Sequence, residues 1–307
     1  MTDPELDLVA QKVVHSGAAR AAVVASAWRD GAGWQLALGA AGASPEGPID
    51  SSAVCDLASV SKPFVAAAAA RAARRSLLSL SDPLLRWLPE LEGTFAAPLT
   101  LELLLSHRAG LESHRPLFAP LLARRTFERS AALRLAASAR RALCSGEPPG
   151  DGYPPVYSDL GYALVGEALA RAAGQPLDEF VTAEINHPLR LDVASVRQWH
   201  RQDPSFRARV LPTEIVPWRG GELRAVVHDE NAWALAGHGL AGQAGLFGTA
   251  EGVARFGTSV LDAMAGRRLD WLKPAEVRPL VGQRAGGTLR AGFDGKAADQ
   301  SAAGSVS

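Results

Sequence analysis

The chain has 307 residues, 47% of them hydrophobic and 21% charged, the profile of an ordinary globular protein with room for one large domain or two small ones. Its 32 basic and 32 acidic side chains cancel, which removes the electrostatic case for a nucleic-acid or anionic-membrane partner. Two cysteines, Cys55 and Cys144, imply no disulfide framework, and no apolar run reads as a membrane span.

The acidic start, "MTDPELDLVAQK", has no basic-then-apolar signal pattern, so the expected location is cytoplasmic. Residues 5–15 are apolar at helical spacing and predict a first helix. Two apolar runs follow, split by Arg29-Asp30-Gly31-Ala32-Gly33, and Asp-Gly between such runs predicts a hairpin. Ser59 to Arg75 reads as a helix, because alanine is the best helix former and basic residues gather at its end. Leu101 to Leu105 and Ser130 to Leu143 are further helical patterns. The loop "CSGEPPGDGYPPVYS" is dense in glycine and proline. Asp159 to Ala173 then forms a strongly amphipathic helix. Residues 198–222 are mixed and polar, and Gly237 to Gly248 is glycine-rich. Thr249 opens a helix to Ala265, and only small and polar residues remain in the tail, "GKAADQSAAGSVS".

One lysine stands out. The chain has four lysines against twenty-eight arginines, so a lysine at position 62 invites a role that arginine cannot fill. Arginine stays protonated, whereas lysine can lose its proton. Ser59 lies three residues before Lys62, which on a helix places both on one face. Serine is a weak nucleophile until a neighbour takes its proton, and S-x-x-K supplies such a neighbour. All three tyrosines fall between 153 and 162, and Tyr157 sits just before a helix start, where it suits a general acid or base.

Four segments resemble, in order and at similar spacing, the serine β-lactamase and penicillin-binding-protein-like family, in its class C, esterase and D-aminopeptidase branch. They are "DLASVSKPF" at 56–64, "LTLELLLSHRAGL" at 99–111, "VYSDLGYALVGEAL" at 156–169 and "AGLFGTAEGVARF" at 244–256. The resemblance implies an α+β fold, an antiparallel sheet flanked by helices with an inserted all-helical subdomain. It implies one domain over 1–307, with residues 1–58 and about 215–307 on the sheet side and about 59–214 helical. It further implies that Ser59 is the acylated nucleophile, that Lys62 assists proton removal, and that Tyr157 relays protons to leaving group and water. The substrate would be a small molecule, an ester, a β-lactam or a D-amino-acid amide, with no metal or organic cofactor.

Two departures bear on function. The family usually has asparagine where this chain has Asp159, a carboxylate expected to hold Lys62 as the ammonium. The register Ser158-Asp159-Leu160, as the S-D-N of class A enzymes, fails at its third residue. No Lys-Thr-Gly or His-x-Gly follows residue 265, and "GGTLRAG" at 286–292 lacks a preceding cation. The expectation is therefore a chain short of its C-terminal strands, and the rival to a hydrolase is an inactive or truncated binding protein. Gly237-His238-Gly239-Leu240-Ala241-Gly242 matches G-x-G-x-x-G but reads as a tight turn beside the site, because no helix follows directly. His228-Asp229-Glu230 lacks a second histidine at ligand spacing. His107 and His114 read as surface or structural side chains in the loop after a helix.

Overall fold

The computed structural model describes residues 3–295, and the tail motif from Lys296 onward lies outside them. The first helix, Pro4–His15, starts where expected. Asp3 caps it by accepting the Glu5 N–H at 2.9 Å, and proline occupies the first turn, where a missing N–H costs little. The hairpin is Ala21–Asp30 and Gly33–Ser44, paired antiparallel from Ala21 opposite Gly42 to Asp30 opposite Gly33. Its turn is set by Asp30, whose Oδ1 accepts the N–H groups of Ala32 at 2.8 Å and Gly33 at 3.1 Å. A short strand, Gly47–Pro48, extends the far edge. The first helix lies directly on the hairpin at Gly39, where a Cβ would stand 2.3 Å from the Leu6 carbonyl carbon. Ala250–Met264, capped by the Thr249 side chain, packs on the hairpin too.

The rest of the chain surrounds one helix, Ser61–Arg74. Ten of its fourteen residues are buried, including the whole run Ala66–Ala70. Propensity accounts for the helix; crowding accounts for the alanines. The helices Asp159–Ala173, Leu177–Val181 and Pro274–Val281 all press on it, and methyl side chains let their backbones approach. Phe64 fills the remaining space, stacked on Phe256 at 3.9 Å. At the far end Arg71 and Arg75 both pair with Glu184, and Arg74 pairs with Glu276.

The α+β class expected from the sequence holds. A second antiparallel sheet places Leu246–Gly248 between Cys55–Asp56 and Val193–Ser195. Among the described residues no strand follows Leu246–Gly248, and the outer edge of Ala21–Asp30 has no strand partner.

Several boundaries differ from expectation for local reasons. The helix predicted over Ser130 to Leu143 is Arg129–Ser138, because the chain leaves it at Ala139 and Arg140 bridges to Leu111. The polar stretch 198–222 holds the end of a helix, Val196–Gln202, capped by Ser195 and anchored by buried Trp199, and a small pair, Ile215–Val216 with Gly221–Glu222. Glu230–Ala236 and Pro274–Val281 are helices that periodicity did not reveal, since each is under three turns long. No helix among the described residues is long and apolar enough to cross a membrane.

Candidate active site

The predicted helix start at Ser59 needs correction. Ser59 lies in a 3₁₀ turn, Ala58–Val60, and the α-helix begins at Ser61. The turn joins the strand Cys55–Asp56 to the helix, and it is strained: Ala58 has φ of +43°, a left-handed backbone that costs energy for a residue with a Cβ. Asp56 holds it there. One oxygen accepts the Ala58 N–H at 2.8 Å, and the other accepts the His228 N–H at 2.8 Å. Burial raises the Asp56 carboxyl above its usual range, with those two N–H groups acting in the opposite direction.

The three-residue spacing still delivers its contact. Lys62 Nζ stands 2.9 Å from Ser59 Oγ. Ser59 is exposed, whereas Lys62 is only 2% exposed. A buried ammonium is costly unless its protons are matched. Here two hydrogen-bond acceptors and one carboxylate charge meet it. Besides Ser59 Oγ, Nζ faces the Gln243 carbonyl at 3.3 Å and Asp159 Oδ1 at 2.7 Å. The Asp159 contact is an ion pair whose angles fall outside hydrogen-bond geometry. Nζ also lies 4.7 Å from the Tyr157 ring centroid and 5.7 Å from that of Tyr162. Ser59, Lys62, Tyr157 and Asp159 are thus brought together around one amine.

The glycine-rich segment explains how Gln243 arrives. A Cβ at Gly242 would fall 1.6 Å from the Tyr162 carbonyl oxygen, and one at Gly166 would fall 2.6 Å from the Gly242 nitrogen. Two facing glycines let the loop lie against the helix Asp159–Ala173, which sets the next residue's carbonyl on Lys62. A helix, Glu230–Ala236, precedes this segment rather than a strand. Gln243 Nε2 reaches Asp229 Oδ1 at 3.3 Å, and burial, with the Asp159 charge adding to it, raises the Asp229 carboxyl. Ser61 is fully buried, and its Oγ accepts the Leu246 N–H at 3.1 Å, which ties the helix start to the central strand of the second sheet.

The two histidines read as surface or structural divide between those outcomes. His114 is exposed as expected, but His107 is 4% exposed and stacks on Tyr157 at 4.7 Å. Burial, then the Lys62 charge, lowers its imidazole to about 4. The signal available in the sequence was its place inside "LTLELLLSHRAGL", one of the four matching segments. Gln243 gave none, because a backbone carbonyl carries no residue-type signature.

Two cavities lie away from these residues. One of about 1050 Å³ sits between the end of the first helix and residues 211–215, and one of about 470 Å³ sits beside Arg129 and Asp178. Neither takes in Ser59 or Lys62, and the converging reactive groups mark the site better than cavity size does. Among the described residues no three histidine, cysteine or acidic side chains converge as metal ligands.

The arrangement has relatives. The esterase EstB of Burkholderia gladioli is 32% identical over 231 residues, 65% of this chain and 55% of EstB, so the chain spans about half the length of that relative. The octameric penicillin-binding protein homologue from Pyrococcus abyssi superposes with a TM-score of 0.67 at 16% identity, covering 94% of this chain and 64% of the homologue. The D-amino acid amidase from Ochrobactrum anthropi SV3 superposes with a TM-score of 0.63 at 20% identity, covering 94% of this chain and 79% of the amidase. The beta-lactamase family model matches residues 9–301, nearly the whole chain, and the chain belongs to that family.

Proposed function

We propose that the chain is a serine hydrolase that works through an acyl-enzyme at Ser59. The observation that carries this reading is the 2.9 Å contact between Lys62 Nζ and Ser59 Oγ, on a lysine otherwise sealed from water. Ser59 Oγ attacks the substrate carbonyl carbon and loses its proton toward Lys62 and Tyr157. Collapse of the tetrahedral intermediate breaks the bond to the leaving group, which takes a proton by way of Tyr157. Water, deprotonated by the same groups, then attacks the acyl carbon and frees Ser59.

Asp159 shapes how this runs. Lys62 Nζ is engaged in an ion pair with the Asp159 carboxylate at 2.7 Å, so it is not free to serve Ser59 alone. The burden therefore shifts toward Tyr157, whose ring already lies over Nζ. The domain is read as one unit, with residues 1–58 and about 215–307 on the sheet side and about 59–214 mainly helical, apart from the strand Val193–Ser195 that joins the second sheet. The substrate is a small ester or amide. EstB is named an esterase and the O. anthropi protein an amidase, and both reactions share the acyl-enzyme chemistry.

Binding without turnover is a second reading, favoured by one observation. Ser59 is exposed, and among the described residues no later strand brings a second N–H donor to its side. A fluorophosphonate separates the two readings, because an activated serine displaces its fluoride and keeps the phosphonyl group, whereas an unactivated one does not. Intact mass should show one phosphonyl group per chain, lost in Ser59→Ala. A folded wild-type protein that takes up none supports binding alone.

A further inference from the structure

Tyr157 is held by one residue at three points. The N–H groups of its two chain neighbours both end on His107: Val156 N donates to the His107 carbonyl at 3.1 Å, and Ser158 N donates to His107 Nδ1 at 3.0 Å. Between those two bonds the imidazole stacks on the Tyr157 ring, with centroids 4.7 Å apart and planes 28° from parallel. The clamp is itself anchored. The Tyr162 ring lies 5.1 Å from the imidazole, and Tyr162 Oη donates to the Leu105 carbonyl at 2.9 Å. His107 N bonds back to the Leu104 carbonyl at 3.2 Å, and the residue adopts φ of +61°, a left-handed backbone uncommon outside glycine and kept only where the surroundings impose it.

We propose that His107 is the positioning residue of Tyr157, fixing the phenol over Lys62 through the Ser158 amide and the stacked ring. The proposal rests on the acyl-enzyme reading for its consequence, though not for its geometry.

The hydrogen bond dictates the tautomer. An Nδ1 that accepts from Ser158 carries no proton, so the proton sits on Nε2. Protonating His107 would put a hydrogen where the Ser158 N–H points and would break the clamp. Burial and the Lys62 charge oppose that protonation and hold the imidazole at about 4, while the Asp159 and Asp294 charges pull the other way. The clamp is intact through the neutral range and opens in acid.

Two measurements test this. His107→Asn removes ring and titration while keeping a side chain that tolerates a left-handed backbone. At neutral pH the maximal rate of fluorophosphonate addition to Ser59 should fall roughly 10²-fold, the scale of a misplaced catalytic group, with the half-saturating reagent concentration unchanged. A folded His107→Asn protein labelled at the wild-type rate would overturn the proposal. The second measurement needs no reaction. In wild type labelled with ¹³C-tyrosine, the Tyr157 ring resonances, assigned with Tyr157→Phe, should move with a midpoint near about 4, while those of Tyr153 stay fixed. The step should vanish in His107→Asn. Tyr157 resonances flat through that range in folded wild type would equally overturn the clamp. If no form of the protein is labelled, the acyl-enzyme reading fails, and the resonances alone decide the clamp.

Discussion

Close backbone approach builds both the hairpin layer and the body around Ser61–Arg74, yet with different results. At Gly39 the first helix comes within 2.3 Å of where a Cβ would be, and at Gly242 the Tyr162 carbonyl comes within 1.6 Å. In the hairpin layer, residues 3–48, only Ala10, Ala37, Leu38 and Gly39 are buried, and one strand edge lacks a partner among the described residues. In the body, ten of fourteen residues of the central helix are buried, and the approach at Gly242 sets a carbonyl on Lys62. The hairpin layer uses contact to cover surface. The body uses it to match a buried charge, so single atoms count there.

Breaking the body at its charge should have the largest effect. Lys62→Arg should slow Ser59 labelling about as much as Lys62→Ala, by roughly 10²–10⁴-fold, the usual worth of a positioned base. Arginine keeps the charge but cannot give up a proton, and its fork does not fit three acceptors arranged around one nitrogen. Near-normal labelling of Lys62→Arg would make Lys62 a fixed cation only.

Acid probes the same buried region through His107. Its imidazole drops from the ordinary 6.5 to about 4 on folding. Between those values the unfolded chain binds the extra proton and the folded protein does not. Stability therefore falls as pH drops from 6.5 toward 4, by about 3 kcal/mol at most for this group. Asp56 and Asp229, raised by burial, act in the opposite direction over the lower part of that range. Urea unfolding of wild type against His107→Asn across the range isolates the histidine share. Parallel curves would remove it.

Ser61→Ala sharpens the contrast within the body itself. Its Oγ takes the Leu246 N–H, so the variant leaves a buried donor unpaired and should lose about 1–3 kcal/mol in unfolding while Ser59 still labels. Equal losses of labelling from Ser59→Ala and Ser61→Ala would undo the assignment of the nucleophile. The smallest effect belongs to the hairpin. Arg29 pairs with Asp262 at 3.5 Å, half in water, and Arg29→Ala should cost about 0–1 kcal/mol and leave labelling untouched. A larger loss would mean that the hairpin layer is coupled to the site.

The sequence by itself determined the local elements and singled out the candidate residues Ser59, Lys62 and Tyr157. Asp30-Gly31 between apolar runs was enough for the hairpin, and apolar spacing for Pro4–His15 and Asp159–Ala173, because propensity and periodicity act over a few residues. Ser59 and Lys62 were legible as a pair because their spacing is short and local; the turn that actually carries Ser59 was not, since the Asp56 carboxylate that holds Ala58 is itself fixed by the His228 N–H, far along the chain. Only the tertiary structure decided what surrounds the amine. The Gln243 carbonyl is a backbone atom, identical in every residue, and reaches Lys62 because Gly166 and Gly242 meet across some eighty residues of chain. His107 does lie in the loop after Leu101–Leu105, but which of surface or structural it was could not be read, because burial depends on what the rest of the fold lays over it, here Tyr157 and Tyr162, which no window of sequence around position 107 contains.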